Sequence, residues 1–382
     1  MTTVGVLRET AGRERRVALT PDAVARLRKQ DIEVLVEAGA GGQAWFDDVG
    51  YAGAGAEVVT RDRVYEGSDV LVVVHPPDDV TYRIRPGTAV VGLLDPLGDP
   101  AGIQTLAEQG VTAISLELLP RTLSRAQAMD ALTSQANVAG YKAALLAAEA
   151  YGGFFPMLMT AAGTTRPAQV LVLGAGVAGL QAIATARRLG AMVTGYDVRP
   201  AARADIASTG AAVLDVGAPA AAGAGGYARG LTADETAGQL SDLAAAIPRF
   251  DVVITTAQVP GGRPPLLVSA AALAGLRPGS VVLDMAAGPA GGNVEGSLPD
   301  TRAVTGNGVT VIGAAQLAST VPVAASTAYA RNVLALLTHL MPGGVLTLDP
   351  DDEIQAGVVV CHGGRVIHPR LRALPQPEGE TA

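Results

Sequence analysis

Two stretches of the chain bring together residue types whose spacing can do chemistry. The first is Gly174-Ala175-Gly176-Val177-Ala178-Gly179, which follows the strand-like run Val170-Leu171-Val172-Leu173 and opens a helix over Leu180–Leu189. Gly174 permits a tight turn, Gly176 lets the backbone approach a pyrophosphate, and Gly179 allows close packing of helix on strand. Val177 is a further candidate contact, and the first N–H groups and positive dipole end of the helix face the phosphates. The next strand ends in Tyr196-Asp197, with Val198 and Arg199 directly after it. A carboxylate at Asp197 accepts hydrogen bonds from both ribose hydroxyls and repels a 2′-phosphate, which favours NAD(H). Arg199 is the residue that speaks for NADP(H) instead. A tight turn with no ligand is the competing reading of the motif.

The second stretch runs from Pro120 to Gln135. Gln127, Asp130 and Ser134 follow i, i+3, i+7 spacing and so share one face of a helix, while Gln127, Asp130 and Thr133 form a polar row. The row is a candidate catalytic surface. It also fits a plain solvated face with Ser124 as N-cap.

The elements that must position these residues alternate strand and helix. Strands are expected at Val4–Leu7, Glu33–Val36, Asp69–Val74, Thr88–Leu94 and Val111–Leu116, and a helix at Pro21–Arg28 with Thr20 as N-cap. A long alanine-rich helix over Ala126–Tyr151 leads out of this domain. A second series of strands follows at Val170–Leu173, Met192–Tyr196, Ala212–Leu214, Asp251–Thr255, Ser280–Asp284 and Val309–Gly313. Continuous Val/Leu runs with helices between them predict parallel sheets covered on both faces. Gly217–Gly230 reads as a mobile loop, Ala324–Leu340 as a helix returning to the first domain, and the tail from Leu374 as disordered. The expected fold is α/β: two Rossmann-like domains with the NAD site in the cleft between them. Residues 1–133 and 325–382 form the first domain, and 134–324 the second.

Composition narrows the function. With 382 residues, 49% hydrophobic and 17% charged, the chain is neither disordered nor too short for two cores. A net charge of -8 argues against nucleic acid as the main partner. Cys361 is the single cysteine, so no internal disulfide and no metal cluster are expected. The charged N-terminus holds no apolar signal core. The uncharged stretch Ala303–Ala330 is interrupted by Gly306, Gly308, Gly313 and Pro322 and reads as strand, loop and helix start, not as a membrane span.

Taken as a set, several segments are specific. They are Arg8-Glu9 with Arg15 to Pro21, Ser124-Arg125-Ala126-Gln127 with Met129-Asp130, Ala136 to Tyr141, Gly163-Thr164, and Gly176 to Ala186. Gly225-Gly226-Tyr227-Ala228, Thr255-Thr256-Ala257, Val259-Pro260-Gly261 and Gly291-Gly292-Asn293 complete them. With them the chain resembles, nearly end to end, the soluble NAD(H)-binding component of proton-translocating nicotinamide nucleotide transhydrogenases, a family related to alanine dehydrogenase. The resemblance implies that Arg121, Gln127, Asp130 and Thr133 contact the nicotinamide and its ribose. Gln127 would lie where the second nucleotide stacks. Thr133 replaces the usual Ser, and one extra residue separates Arg121 from Ser124. It also implies Tyr227 on a closing loop and Gly226 and Gln239 on the adenosine side, and Gln258 joins the candidate nucleotide contacts.

The activity implied is that of an NAD(P)+ transhydrogenase (Si/Re-specific, proton-translocating), catalytic only with partner subunits. NAD(H) is held here and NADP(H) on the partner. The resemblance further implies membrane-spanning subunits, a homodimer, and a cytoplasmic location on the inner (plasma) membrane through those partners, with no membrane insertion by this chain. An alanine dehydrogenase-like amino-acid dehydrogenase is the alternative. Oxidising an amino acid releases a proton and needs a positioned acid or base, whereas passing hydride between two nicotinamides does not. Where alanine dehydrogenases place a lysine, this chain has Val74-His75-Pro76-Pro77. Leu93-Leu94-Asp95 replaces their histidine, and Gly288-Pro289-Ala290 precedes Gly291-Gly292 where they carry an acid. His75 could still be catalytic, although a strand-end histidine is more often structural, and Asp284, also at a strand end, could line the crevice or merely cap a loop.

Overall fold

The computed structural model describes residues 2–76, 83–217, 221, 223, 229–259 and 261–374. The chain forms two compact units, one from the residues up to Gln135 with those from Val321 onward, the other from Ala136 to Thr320. Strands β1 (Thr3–Val6), β2 (Glu33–Glu37), β3 (Glu57–Val59), β4 (Val70–Val72), β5 (Ala89–Gly92) and β6 (Thr112–Ser115) come first. β7 (Leu158–Thr160), β8 (Gly163–Thr165), β9 (Gln169–Leu173), β10 (Met192–Tyr196), β11 (Ala212–Val213) and β12 (Val252–Thr255) follow. β13 (Val281–Asp284), β14 (Arg302–Val304), β15 (Thr310–Gly313), β16 (Val359–His362) and β17 (Arg365–Val366) complete the series.

The first sheet runs β17-β16-β6-β5-β4-β1-β2-β3 and the second β11-β10-β9-β12-β13-β15-β14. Both are doubly wound, with the order reversing between β1 and β4 in one and between β9 and β12 in the other. Crevices for ligands lie at the carboxyl ends of strands at such switch points. Successive residues of a strand point to opposite faces, so a strand covered on both sides must be apolar throughout. Val70 and Val72 pack in one core with Val4 and Val6, whereas Leu71 and Val73 pack in the other with Leu7 and Leu35. In the second unit Val170 and Val172 share one core with Ile183 and Ile254, and Leu171 and Leu173 the opposite one with Leu243 and Val253. The helix Pro322–Leu340 returns to the first unit, where Tyr329 donates its hydroxyl to the Val73 carbonyl at 2.8 Å and Leu336, Leu337 and Leu340 are buried.

Two expectations need correction. The sheets are mixed: β14, β16 and β17 pair antiparallel at the edges. Edge strands such as β14, exposed along its length, carry no continuous apolar run to betray them. The long helix over Ala126–Tyr151 is in fact two elements, a 3-10 segment at Ser124–Met129 and an α-helix at Ala131–Ala150. The break is at Asp130 (ψ 85°), whose carboxylate accepts from the Thr133 N–H at 2.8 Å. An aspartate that satisfies the first-turn N–H groups starts a helix and does not continue one. Gln127, Asp130 and Ser134 therefore do not share a helical face, and Ser124 caps nothing, since the residue before the 3-10 segment is Leu123 and it makes no side-chain cap.

Candidate functional site

In the second unit the glycine motif lies at the β9 carboxyl end, beside the switch point. Gly174 has φ +97°, in the left-handed region that favours glycine. The helix Val177–Arg188 starts three residues earlier than the sequence pattern suggests, and no side chain caps its N-terminus. A Cβ on Gly179 would lie 1.9 Å from the Gly174 carbonyl oxygen, whereas one on Gly176 would meet nothing. The turn is thus built for close helix–strand packing with an open face at Gly176. Gly140, on the helix Ala131–Ala150, is equally constrained, because its Cβ would meet the Ala178 carbonyl at 2.1 Å.

Asp197 is buried at the end of β10. Its Oδ2 accepts from the Ala175 N–H at 2.8 Å, inside the glycine turn. Its Oδ1 accepts from the Arg199 N–H at 2.8 Å, and the Arg199 side chain forks onto both oxygens through Nε (2.9 Å) and Nη2 (2.8 Å). Burial alone would raise the Asp197 pKa, but the Arg199 side chain and the two backbone donors outweigh it and hold the carboxyl below its usual range. Gln239 is buried and donates to the Tyr196 hydroxyl at 3.0 Å, so its amide lies beside the same strand end.

Across the switch point, the loop after β12 is tied to the glycine turn by Thr256, whose N–H donates to the Leu173 carbonyl and whose Oγ1 donates to the Gly174 carbonyl at 3.0 Å. Fully buried Asn293 accepts from the Ala257 N–H and donates to the Ala257 and Pro265 carbonyls. Neither role can be read from one sequence, although Asn293 closes the quoted Gly291-Gly292-Asn293 motif. Gln258 is exposed and donates to the Met285 carbonyl. Asp284 does not line a crevice. It is fully buried and accepts from Thr255 Oγ1, Ser297 Oγ and the Ala286 and Val294 N–H groups, holding the β13 end and the following loop. Gly226 and Tyr227, most of the Gly217–Gly230 loop, and the tail beyond Leu374 lie outside the described residues.

In the first unit, Arg121, Asp130 and Thr133 come together. Arg121 donates from Nε to Asp130 Oδ2 (2.8 Å) and from Nη2 to Thr133 Oγ1 (2.6 Å), and Thr133 Oγ1 donates to Asp130 Oδ2 (2.7 Å). Gln127 is exposed on the 3-10 segment and takes no part in these bonds. Ser134 turns away from the row and donates to Asn332 Oδ1.

A polar cluster that sequence reasoning does not assemble sits at this unit's own switch point. The buried Glu14–Arg16 pair is bidentate, Arg16 Nη1 donates to Gln135 Oε1, and Arg16 Nη2 lies 3.0 Å from His75 Nε2. His75 Nε2 is also 3.3 Å from Glu14 Oε2. Glu9 accepts from the Val74 and His75 N–H groups; burial pushes its pKa up to about 7 against the lowering effect of those bonds and of His75. The only sequence signal for the cluster is the charged run Arg8–Arg16 itself.

Residues 5–139 match the family described as alanine dehydrogenase/PNT, N-terminal domain, and residues 143–369 the one described as alanine dehydrogenase/PNT, C-terminal domain. The chain belongs to the alanine dehydrogenase/PNT family. It is 38% identical over 373 residues to an NAD(P) transhydrogenase subunit alpha of Cereibacter sphaeroides, covering 96% of this chain and 71% of that one. It is 36% identical over 382 residues to an NAD(P) transhydrogenase subunit alpha of Haemophilus influenzae, covering 99% of this chain and 74% of that one. Among solved structures, a transhydrogenase from Sinorhizobium meliloti superposes with TM-score 0.84 at 38% identity, covering 96% of this chain and 99% of that one. An L-alanine dehydrogenase superposes with TM-score 0.80 at 25% identity over 97% and 98% of the two chains, and is the more distant of the two structures. The family's transhydrogenase branch is therefore the nearer one. No group of His, Cys, Asp or Glu among the described residues has the arrangement of a metal site.

Proposed function

We propose that this chain is the NAD(H)-binding subunit of a proton-translocating transhydrogenase, acting with a partner subunit that holds NADP(H). The observation that carries this reading is the engagement of His75. An amino-acid dehydrogenase needs a side chain poised to take a proton from its substrate. The strand-end histidine instead has its Nε2 engaged by Arg16 and Glu14, which are themselves a bidentate pair. A transfer between two nicotinamides needs positioned rings and no such group.

The glycine turn fits a dinucleotide, because Gly179 packs the helix tightly on the strand while the face at Gly176, where a Cβ would meet nothing, stays open beside an uncapped helix N-terminus. Gly174, Gly176, Val177 and Gly179 would hold the pyrophosphate. Asp197, Val198 and Arg199 would meet the adenosine ribose, Gly226 and Gln239 would contact the adenosine side, and Tyr227 and Gln258 would be further nucleotide contacts. Bound NADH supplies the hydride. Arg121, Asp130 and Thr133 would set the nicotinamide end, and Gln127 would face the partner's ring. Stereospecificity, dependence on partners, coupling to proton movement and peripheral attachment to the cytoplasmic face of a membrane belong to this proposal. No helix among the described residues is long and apolar enough to cross a membrane.

A homodimer is part of the same reading. The antiparallel hairpin β7–β8 and its approach expose Phe154 (56%), Met157 (55%) and Met159 (75%), an apolar surface suited to a second copy. Sedimentation of a Phe154→Asp, Met159→Asp double variant should show monomer; an unchanged mass would remove this surface from the proposal.

The direct test mixes the full chain with the NADP(H)-binding domain of a transhydrogenase and follows transfer from NADH to an NADP+ analogue. Transfer requiring both components supports the reading. Absence of transfer, with alanine-dependent NAD+ reduction by the chain alone, would replace it with the dehydrogenase.

A further inference from the structure

A carboxylate offers about four lone-pair sites, two on each oxygen. At Asp197 all four are taken. Oδ2 accepts from the Ala175 N–H and Arg199 Nη2, and Oδ1 accepts from the Arg199 N–H and Arg199 Nε. Two of the donors are backbone groups fixed by the glycine turn and the strand end. The other two belong to one side chain, on a residue at the N-cap position of the helix Pro200–Ser208 that gives that helix no side-chain cap. The Arg199 side chain is about one-quarter exposed and that of Asp197 about 7% exposed. The guanidinium is thus the removable occupant of the carboxylate, and solvent gives it somewhere to go.

We infer that Arg199 is a specificity- and affinity-determining residue that competes with the adenosine ribose for the Asp197 carboxylate. The inference rests on the proposal that Asp197 receives that ribose. A ribose hydroxyl can donate to Asp197 only at a lone pair that a guanidinium N–H has left. Binding therefore displaces the fork, and the apparent affinity is the intrinsic one multiplied by the fraction of molecules in which the fork is open. Once displaced, the guanidinium stands within a side chain's reach of the 2′ position, where its charge offsets the repulsion that Asp197 exerts on a 2′-phosphate. The same residue therefore weakens NADH and softens the rejection of NADPH. Both effects narrow the preference that Asp197 alone would impose.

The test titrates the full-length chain and its Arg199→Ala variant with NADH, with NADPH, and with an NADH analogue whose adenosine ribose lacks both hydroxyls. Arg199→Ala should bind NADH about tenfold more tightly, the fold-change expected if the closed fork is favoured by one decade. It should bind the dideoxy analogue as the unaltered chain does, and its NADH-over-NADPH preference should widen. Arg199→Lys, which cannot make the fork, should fall between the two. Weaker or unchanged NADH binding by Arg199→Ala, while the unaltered chain still prefers NADH to the dideoxy analogue, overturns the competition and leaves the ribose reading standing. Equal binding of NADH and the dideoxy analogue by the unaltered chain overturns the ribose reading, and the competition with it.

Discussion

The Asp130 carboxylate does three things at once, and substitution separates them. It caps the helix Ala131–Ala150 through the Thr133 N–H, it accepts the Thr133 hydroxyl, and it pairs with Arg121. Losing the cap costs about 1 kcal/mol. The ion pair, with Arg121 about one-third exposed, is worth about 0.5 kcal/mol after screening. The hydroxyl bond adds about 0.5 kcal/mol. Asp130→Ala should thus lower stability by about 2 kcal/mol, which for a unit of about 200 residues is a fall in Tm of about 4–8 °C. Asp130→Asn keeps an oxygen for the Thr133 N–H but turns an NH2 toward Arg121. It should lose about half as much while removing the Arg121–Asp130 ion pair. The assay is differential scanning calorimetry of both variants. Equal losses in the two would show that the cap contributes nothing. No loss in Asp130→Ala would refute the reasoning that this residue starts the helix.

Other perturbations follow from the same geometry. Gln127→Ala removes an exposed side chain outside the Asp130 network, so calorimetry should show a change within about 0.5 kcal/mol. Its transfer rate with the partner domain should nonetheless fall about tenfold or more, and an unchanged rate would take Gln127 out of the proposed chemistry. Gly179→Ala places a methyl group within 1.9 Å of the Gly174 carbonyl oxygen. It should cost more than about 2 kcal/mol and abolish NADH fluorescence changes on titration; binding as tight as the unaltered chain's would show that the turn is no cradle. Glu9 has a folded-state pKa raised from 4.5 to about 7, so its contribution to stability is fully present below pH 4.5 and is lost as pH rises toward 7. Relative to the unaltered chain, Glu9→Gln should gain on the order of 2 kcal/mol between pH 4.5 and pH 7.5 in urea unfolding, and a pH-independent difference would contradict the shift.

Much of this molecule is legible in its sequence because the physics that builds it is local. The parallel strands are buried on both faces, so each reads as an uninterrupted Val/Leu run: the pattern places Met192–Tyr196 to the residue, and Val170–Leu173 to within one. Pro21 at the first helical position marks the Pro21–Arg28 start, although Thr20 there makes no side-chain cap. The glycine turn is legible because Gly174 and Gly179 are fixed by backbone geometry. The Asp130 break is not legible, because an aspartate within an alanine-rich run satisfies the periodicity of a helix interior and differs only in where its side chain turns. The His75–Arg16–Glu14 cluster is hidden for another reason. Its members are brought together by the parallel order of β1 and β4, over sequence separations that no spacing rule encodes. The saturation of Asp197 likewise depends on the rotamer of Arg199, two residues away, and the sequence can only pose that residue as a question about NADP(H).

The central claim is that hydride passes directly from a coenzyme held here to one held by a partner. Its most direct test uses NADH deuterated at the transferred position, in ordinary water, with the full chain, a transhydrogenase NADP(H)-binding domain and NADP+. The account predicts that the deuterium is recovered in NADPH, with none exchanged into solvent and no dependence on added alanine. Deuterium lost to water, or appearing in an amino acid when pyruvate and ammonium are supplied, would contradict it.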